Sequence, residues 1–177
     1  MMGGCVMLEK SHIVSMLVAT LFLVAPVSGR AAAEDGAPQI DRRSYDLGAI
    51  GAFAEMVDVG VKRLAFSSTL SPAEASSLWD EANKIANENH VALYRDPDLL
   101  VTDLFPADVA KGKEVLLIYK GSTLDEYMAL KRKKTQLVKS GTYTGKAREE
   151  IARQLGRLLS YPESSIDGLM KKNMVRE

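Results

Sequence analysis

Residues suited to acid–base or metal chemistry are scarce in this chain of 177 residues. The sequence contains one cysteine, Cys5, and two histidines, His12 and His90. Beyond residue 33 only His90 remains, which excludes thiol nucleophiles and cysteine-rich or histidine-rich metal sites from that part of a single chain. We therefore expect no cofactor and no metal. If the protein is an enzyme, His90 and Tyr94 are the candidates for general acid and general base.

Polar residues that could bind an anion follow each predicted strand. In sheets of parallel strands, ligands usually lie beyond the carboxyl ends of the strands. After the third predicted strand, free backbone N–H groups open a helix, and the helix dipole favours an anion there. The predicted ligand-binding residues are Ser67, Ser68, Arg95, Lys120, Ser122 and Thr123. A structural role stays open for each of them, because such residues are typical of turns and N-caps, and a histidine such as His90 often caps the end of a helix.

The elements that must position these residues follow from hydrophobic periodicity and from turn residues. Three segments whose apolar residues alternate or follow one another predict strands, namely residues 61–66, 91–94 and 114–119. The last of these is the most hydrophobic, which predicts a central strand. Ser71 and Glu74 match a capping box and predict a helix between the first two strands. A strand, a helix and a strand in succession indicate a βαβ unit with parallel strands. The predicted fold class is α/β, with a small parallel sheet and a helical C-terminal half.

Helical periodicity covers four further segments, namely residues 47–59, 124–139, 146–160 and 163–172. Residues 99–102 (LLVT) could add a short strand after the second one. In the third of these helical segments, Gly156 has no side chain and would permit a close approach between two helices. The pattern therefore predicts a tightly packed helical corner near the C-terminus.

The N-terminal segment has the features of a secretory signal peptide. Its apolar run, residues 13–27, spans 15 residues, whereas a transmembrane helix needs about 20. Lys10 supplies the basic start, and the alanines at 31–33 match a cleavage site, so we predict cleavage after Ala33 and an expected mature chain of 144 residues. The predicted organisation is a signal peptide at 1–33, a flexible leader at 34–46 and a single domain at 47–177. We expect a periplasmic or secreted protein without a stable membrane anchor.

The expected mature chain divides into two parts of opposite charge. Residues 34–126 carry 9 basic and 17 acidic side chains, a net charge of −8, whereas residues 127–177 carry 12 basic and 5 acidic, a net charge of +7. Such asymmetry can mark a surface for an anionic partner, or the two parts can simply attract each other. The run KRKK at 131–134 is contiguous in a predicted helix, so at least one of its cations must turn toward the protein or pair with an acidic side chain. It lacks aromatic neighbours, and we expect no nucleic acid partner.

Two functions from different classes fit these observations. The first is an exported, soluble binding or accessory protein that holds an anionic small molecule or a protein partner. The second is a small metal-independent lyase, isomerase or hydrolase that acts on an acidic substrate. In that enzyme, His90 or Tyr94 would transfer protons, and Arg95 or Lys120 would bind the carboxylate or phosphate of the substrate. The scarcity of histidine and of cysteine favours the binding protein, and the sequence does not indicate the oligomeric state.

Overall fold

The computed structural model describes residues 40–106 and 108–174, the last of these by its backbone only. The elements in chain order are α1 (Arg42–Asp58), β1 (Leu64–Phe66), α2 (Pro72–Glu88), β2 (Ala92–Asp96), β3 (Val115–Tyr119), α3 (Thr123–Lys139), α4 (Gly145–Leu158) and α5 (Glu163–Met174). The predicted signal peptide at 1–33 and residues 34–39 of the predicted leader lie outside the described residues. Within the described ranges, no helix combines the length and the apolar character that crossing a membrane would need.

The three strands form one sheet in the order β1-β3-β2. Both outer strands pair with β3 in antiparallel fashion, so that Phe66 lies opposite Leu117 and Asp96 lies opposite Val115. The prediction of a parallel sheet near 61–66, 91–94 and 114–119 is therefore wrong. The mixed α/β class and the helical C-terminal half are confirmed. β1 and β2 do run in the same direction, but β3 lies between them and runs in the opposite one.

The apolar character of β3 explains its central position. The side chains of Val115, Leu116, Leu117 and Ile118 are at most 1% exposed. A strand in the middle of a sheet that is covered on both faces must be apolar on both sides, and only this strand meets that condition along its length. The predicted central position of this strand is therefore confirmed. Sequence periodicity identifies strands but not their direction, so the antiparallel pairing of β3 with both neighbours could not be predicted from it.

Helices cover both faces of the sheet, and alternate side chains of each strand point to opposite faces. On one face, α1 and α2 pack against Ala65, Leu116 and Ile118. On the other face, α3, α4, α5 and the segment after β2 pack against Val115 and Leu117. The basic helices thus lie together on one side of the sheet, and α1 and α2 lie on the other.

Helix α1 begins at Arg42, five residues before the predicted helix at 47–59 and inside the predicted flexible leader. The reason is the N-cap, because the Asp41 carboxylate accepts hydrogen bonds from the backbone N–H groups of Arg43 at 3.3 Å and Ser44 at 3.2 Å. These bonds satisfy donors that the first turn of a helix leaves unpaired. The helix is then held to the sheet by Ile50, which is completely buried.

The capping box predicted for α2 is confirmed. The Ser71 hydroxyl accepts from the backbone N–H of Glu74 at 3.2 Å, and the Glu74 carboxylate accepts from the backbone N–H of Ser71 at 2.6 Å. The strand suggested at residues 99–102 does not form. Instead, the backbone N–H of Leu100 donates to the Tyr127 hydroxyl at 3.0 Å, so a side chain satisfies a donor that a sheet would otherwise pair.

Candidate functional site

Three of the predicted ligand-binding residues lie at the end of the sheet where β1 and β2 finish, and each is engaged by the protein itself. The Ser67 hydroxyl donates to the carbonyl of Ser68 at 2.7 Å and accepts from the backbone N–H of Leu116 at 2.9 Å. The Ser68 hydroxyl donates to the buried carboxylate of Asp46 at 2.6 Å. These contacts join the end of β1 to α1 and β3, so the two serines have a structural role here.

Arg95 lies at the same end of the sheet, on β2. Its guanidinium donates to the Glu114 carboxylate, to the Ser76 hydroxyl at 3.0 Å and to the carbonyl of Pro72 at 3.1 Å. The three acceptors belong to the segment that enters β3 and to the first turn of α2. Arg95 therefore ties α2 to the sheet, and its donors are directed at the protein.

The remaining anion-binding candidates lie at the opposite end of the sheet, because β3 is antiparallel to the other strands. Lys120 Nζ donates to the Asp58 carboxylate at 2.6 Å, and the Thr123 hydroxyl donates to the carbonyl of Lys120 at 3.0 Å. Ser122 is the N-cap residue of α3, but its side chain makes no capping hydrogen bond. The hydrogen bond from Lys120 lowers the pKa of Asp58. The Lys120 ammonium thus already has an anionic partner in the protein.

His90 is also at this end, with Nδ1 3.8 Å from the Asp58 carboxylate and a side chain that is 79% exposed. Tyr94 is part-buried and packs against the apolar cluster on the face covered by α3, α4 and α5. Asp58 belongs to α1, which covers the other face. The structure therefore does not bring His90 and Tyr94 together as an acid and a base.

The backbone of His90 shows what this residue does for the fold. Its φ angle is 54°, in the left-handed region that L-residues rarely adopt. The backbone N–H of His90 donates to Asn87 at 3.1 Å, and that of Val91 donates to Ala86 at 3.0 Å. This pair of bonds is the Schellman motif that ends many helices, and its left-handed position usually holds glycine. His90 is therefore the residue that terminates α2.

Replacing His90 with glycine is expected to stabilise the protein by up to about 1 kcal/mol, because glycine adopts the left-handed conformation without strain. The exposed contact with Asp58 that the change removes contributes little. Urea denaturation of the wild-type protein, His90→Gly and His90→Ala measures the effect, and the alanine variant should lack the gain. A lower midpoint for His90→Gly would contradict the structural role.

A buried network fixes α3 against the chain that leaves β2. Asp96 is 1% exposed and accepts hydrogen bonds from the Tyr127 hydroxyl at 2.6 Å and from Lys131 Nζ at 2.9 and 3.1 Å. Burial, followed by the bond to Asp96, raises the pKa of Tyr127 well above its usual value. The prediction that a cation of the run 131–134 turns toward the protein is confirmed for Lys131. Lys134 lies one helical turn further along α3 and faces the segment that follows β2.

Beside Lys134 lies a cavity of about 480 Å³, between the segment after β2 and the helices α3, α4 and α5. Its wall combines apolar groups with a few charged ones, namely Val101, Phe105, Pro106 and Tyr143 with Lys134, Arg148, Asp103 and Asp108. This mixture is typical of small-molecule sites, where apolar walls enclose the ligand and a few polar groups orient it. None of the predicted ligand-binding residues lines this cavity.

The ammonium of Lys134 is the distinctive group in the cavity wall. It donates to the carbonyl of Val101 at 2.6 Å and lies 5.3 Å from the centre of the Tyr143 ring. Among the described residues it forms no salt bridge, in contrast to Lys131, which pairs with Asp96. Partial burial lowers the pKa of Lys134. The cavity thus contains a partly desolvated cation without a salt-bridge partner among the described residues.

The other cation in the wall is neutralised. Arg148 binds both oxygens of the Asp103 carboxylate through Nε, at 2.7 and 2.9 Å. The carbonyl of Asp103 accepts from the side-chain amide of Asn173 on α5 at 3.1 Å. Through Asp103, the Arg148 pair joins α4 and the Asn173 hydrogen bond joins α5 to the segment after β2, and together they form part of the wall. Asp108 is exposed, which leaves Lys134 as the group best placed to contact a ligand.

Comparison with protein-family models, with curated proteins and with solved structures gives no match for the chain. The function is therefore argued from the cavity itself. Within the described ranges, no three histidine, cysteine, aspartate or glutamate side chains lie close enough to hold a metal ion.

The sequence contains one signal for Lys134, namely the helical phase of the run at 131–134. Tyr127, Lys131 and Lys134 recur at spacings of four and three, which places them on one face of a helix. Tyr127 and Leu130 are large apolar residues on that face, and both are buried in the structure. The helical phase of the run KRKK thus distinguished Lys131 and Lys134 from Arg132 and Lys133, which are exposed.

Proposed function

We propose that this protein is an exported binding protein for a small anionic molecule, and that the molecule occupies the cavity beside Lys134. One observation carries the proposal: a partly buried ammonium group without a salt-bridge partner among the described residues faces a concave cavity of about 480 Å³. A desolvated charge is costly unless it is paired, so an anionic ligand that pairs with it gains affinity.

The cavity favours a monoanion with an apolar body. Its volume lies within the range of roughly 300–1,000 Å³ that is usual for small-molecule sites. The Lys134 ammonium can pair with one anionic oxygen, whereas Arg148 is already committed to Asp103. The rings of Phe105 and Tyr143 in the wall offer apolar surface to the rest of the ligand. An aromatic carboxylate satisfies these requirements better than a multiply charged phosphate.

The proposal is tested by titrating the purified protein with benzoate, phenylacetate and inorganic phosphate. We expect saturable binding of a carboxylate that weakens at least tenfold in Lys134→Met, because the ammonium is lost while the length of the side chain is kept. Lys133→Met is the matched control, since Lys133 is exposed on the same helix, and its affinity should stay within a factor of two. Calorimetry gives the affinities, and thermal stabilisation by the ligand gives an independent measure.

The affinity for a carboxylate should also depend on pH in a defined direction. The site requires the charged form of Lys134, and burial lowers the pKa of this group. Affinity should therefore be retained at neutral pH and lost as the pH rises through the lowered pKa. Lys134→Met should not show this loss. Failure of all three probes to bind, or equal binding by the wild-type protein and Lys134→Met, would overturn the proposal.

A further inference from the structure

We propose that a second cavity, beside Lys62 and distinct from the first, binds a linear aliphatic carboxylate. This cavity has a volume of about 250 Å³ and lies between α1, the end of β1 and the segment after β2. The two cavities share Phe105 in their walls. Because the two cavities contain different cations, Lys62 and Lys134, a change at one lysine tests one site without removing the charge of the other.

The wall of the second cavity is mostly apolar. Its large side chains are Phe53, Phe66, Leu99, Phe105, Val109 and Leu159. Among its polar residues, the hydroxyl of the buried Ser67 is engaged with Ser68 and Leu116. A wall of this kind offers little to hydrogen-bonding ligands and favours a hydrocarbon chain, whose burial is driven by the hydrophobic effect.

Among the described residues that line this wall, Lys62 is the charged one. Its ammonium donates to the carbonyl of Leu159 at 3.0 Å and lies 5.2 Å from the centre of the Tyr161 ring. Both partners are uncharged, and within the described residues Lys62 forms no salt bridge. Burial lowers the pKa of this lysine. An ammonium that is partly desolvated and has only neutral partners is suited to the head of a carboxylate ligand.

The size of the cavity limits the length of the ligand. A volume of about 250 Å³ is below the usual range for drug-sized ligands, so a short or medium chain fits better than a long one. Each buried methylene group contributes roughly 0.8 kcal/mol, which corresponds to roughly a fourfold change in affinity. Affinity should thus rise along the series butanoate, hexanoate and octanoate until the cavity is filled.

The test is calorimetric titration of the purified full-length protein with butanoate, hexanoate, octanoate and octan-1-ol. We expect saturable octanoate binding that is at least tenfold tighter than that of butanoate. In Lys62→Met, the affinity for octanoate should fall at least tenfold, whereas that for octan-1-ol should change less than threefold. The exposed Lys84 on α2 gives the matched control, and Lys84→Met should bind all four compounds as the wild-type protein does.

A second variant tests the cavity without removing the charge. Val109 lines the cavity and is 37% exposed, so tryptophan at this position can fill the cavity from its outer side. Val109→Trp should lose the binding of both octanoate and octan-1-ol. The proposal is overturned if octanoate does not bind, if Lys62→Met binds octanoate as well as the wild-type protein, or if Val109→Trp leaves both ligands bound.

Discussion

Replacing Asp96 with alanine is expected to destabilise the protein by about 3 kcal/mol or more, the largest effect that we predict for a single polar residue. The carboxylate is 1% exposed and accepts hydrogen bonds from Tyr127 and Lys131. Its removal leaves the buried Tyr127 hydroxyl without its acceptor and takes from the mostly buried Lys131 ammonium its buried carboxylate partner. Breaking a buried pair by removing one partner typically costs about 3–5 kcal/mol.

Asp98 provides the matched control for Asp96. It follows two residues later and contacts the same ammonium, with its carboxylate 3.8 Å from Lys131 Nζ, but its side chain is 93% exposed. Exposed pairs of this kind contribute about 0–1 kcal/mol, so Asp98→Ala should change the stability little. Equilibrium denaturation in urea measures both variants. Equal effects at the two positions would show that burial of Asp96 does not determine the energetics of the network.

The network should also be cooperative. Tyr127→Phe removes a hydroxyl that donates to Asp96 and accepts from the backbone of Leu100, and the loss of these bonds should cost about 1–3 kcal/mol. In the double variant of Asp96→Ala and Tyr127→Phe, the loss of stability should be smaller than the sum of the two single losses. The reason is that both single changes break the same hydrogen bond. Additive effects would contradict a direct interaction between Asp96 and Tyr127.

Replacing Gly156 with valine is expected to destabilise the protein by about 3 kcal/mol. A Cβ at this position would lie 2.6 Å from Cγ1 and 2.7 Å from Cδ1 of Ile166 on α5, and 3.5 Å from Cδ1 of Leu104. Ile166 is completely buried and has little room to move. Excess volume in a packed interior typically costs about 1–3 kcal/mol, and the branched side chain of valine places this variant at the upper end.

Alanine at two glycine positions separates packing from helix propensity. In a helix, alanine is favoured over glycine by about 1 kcal/mol. At Gly168 of α5, an added Cβ meets no atom within 4 Å, so Gly168→Ala should stabilise the protein by up to about 1 kcal/mol. At Gly156 the same change should destabilise it, because the contact with Ile166 outweighs the propensity. In urea denaturation, we expect the midpoint of Gly168→Ala to lie above that of the wild-type protein and the midpoint of Gly156→Ala to lie below it.

Much of the local structure could be predicted from the sequence because local physics determines it. The cap of α2 at Ser71 and Glu74 depends on residues three apart, and it forms as predicted. Helix α1 begins five residues earlier than periodicity predicts, because Asp41 caps it. The close helix packing predicted at Gly156 is confirmed, because only a residue without a side chain permits such an approach.

The candidate site was less predictable, because its residues come from distant parts of the chain. The anion-binding prediction placed Ser67, Arg95 and Lys120 at one edge of a parallel sheet. With β3 reversed, Lys120 lies at the opposite end from the other two, and each of the three is engaged by the protein itself. Lys62 has no motif around it, and the helical phase places Lys134 on the face of Tyr127 without indicating a cavity there. Only the structure shows that both lysines line a cavity and lack a salt bridge within the described residues.

The sequence by itself determined where most helices and strands form, because periodicity and caps act over a few residues. Its hydrophobic pattern also indicated that β3, the most apolar strand, lies at the centre of the sheet. Only the tertiary structure decided that β3 runs antiparallel to β1 and β2, and which lysines face a cavity. The physical reason is that strand direction and charge pairing depend on contacts between residues far apart in the chain, and local sequence patterns do not encode those contacts.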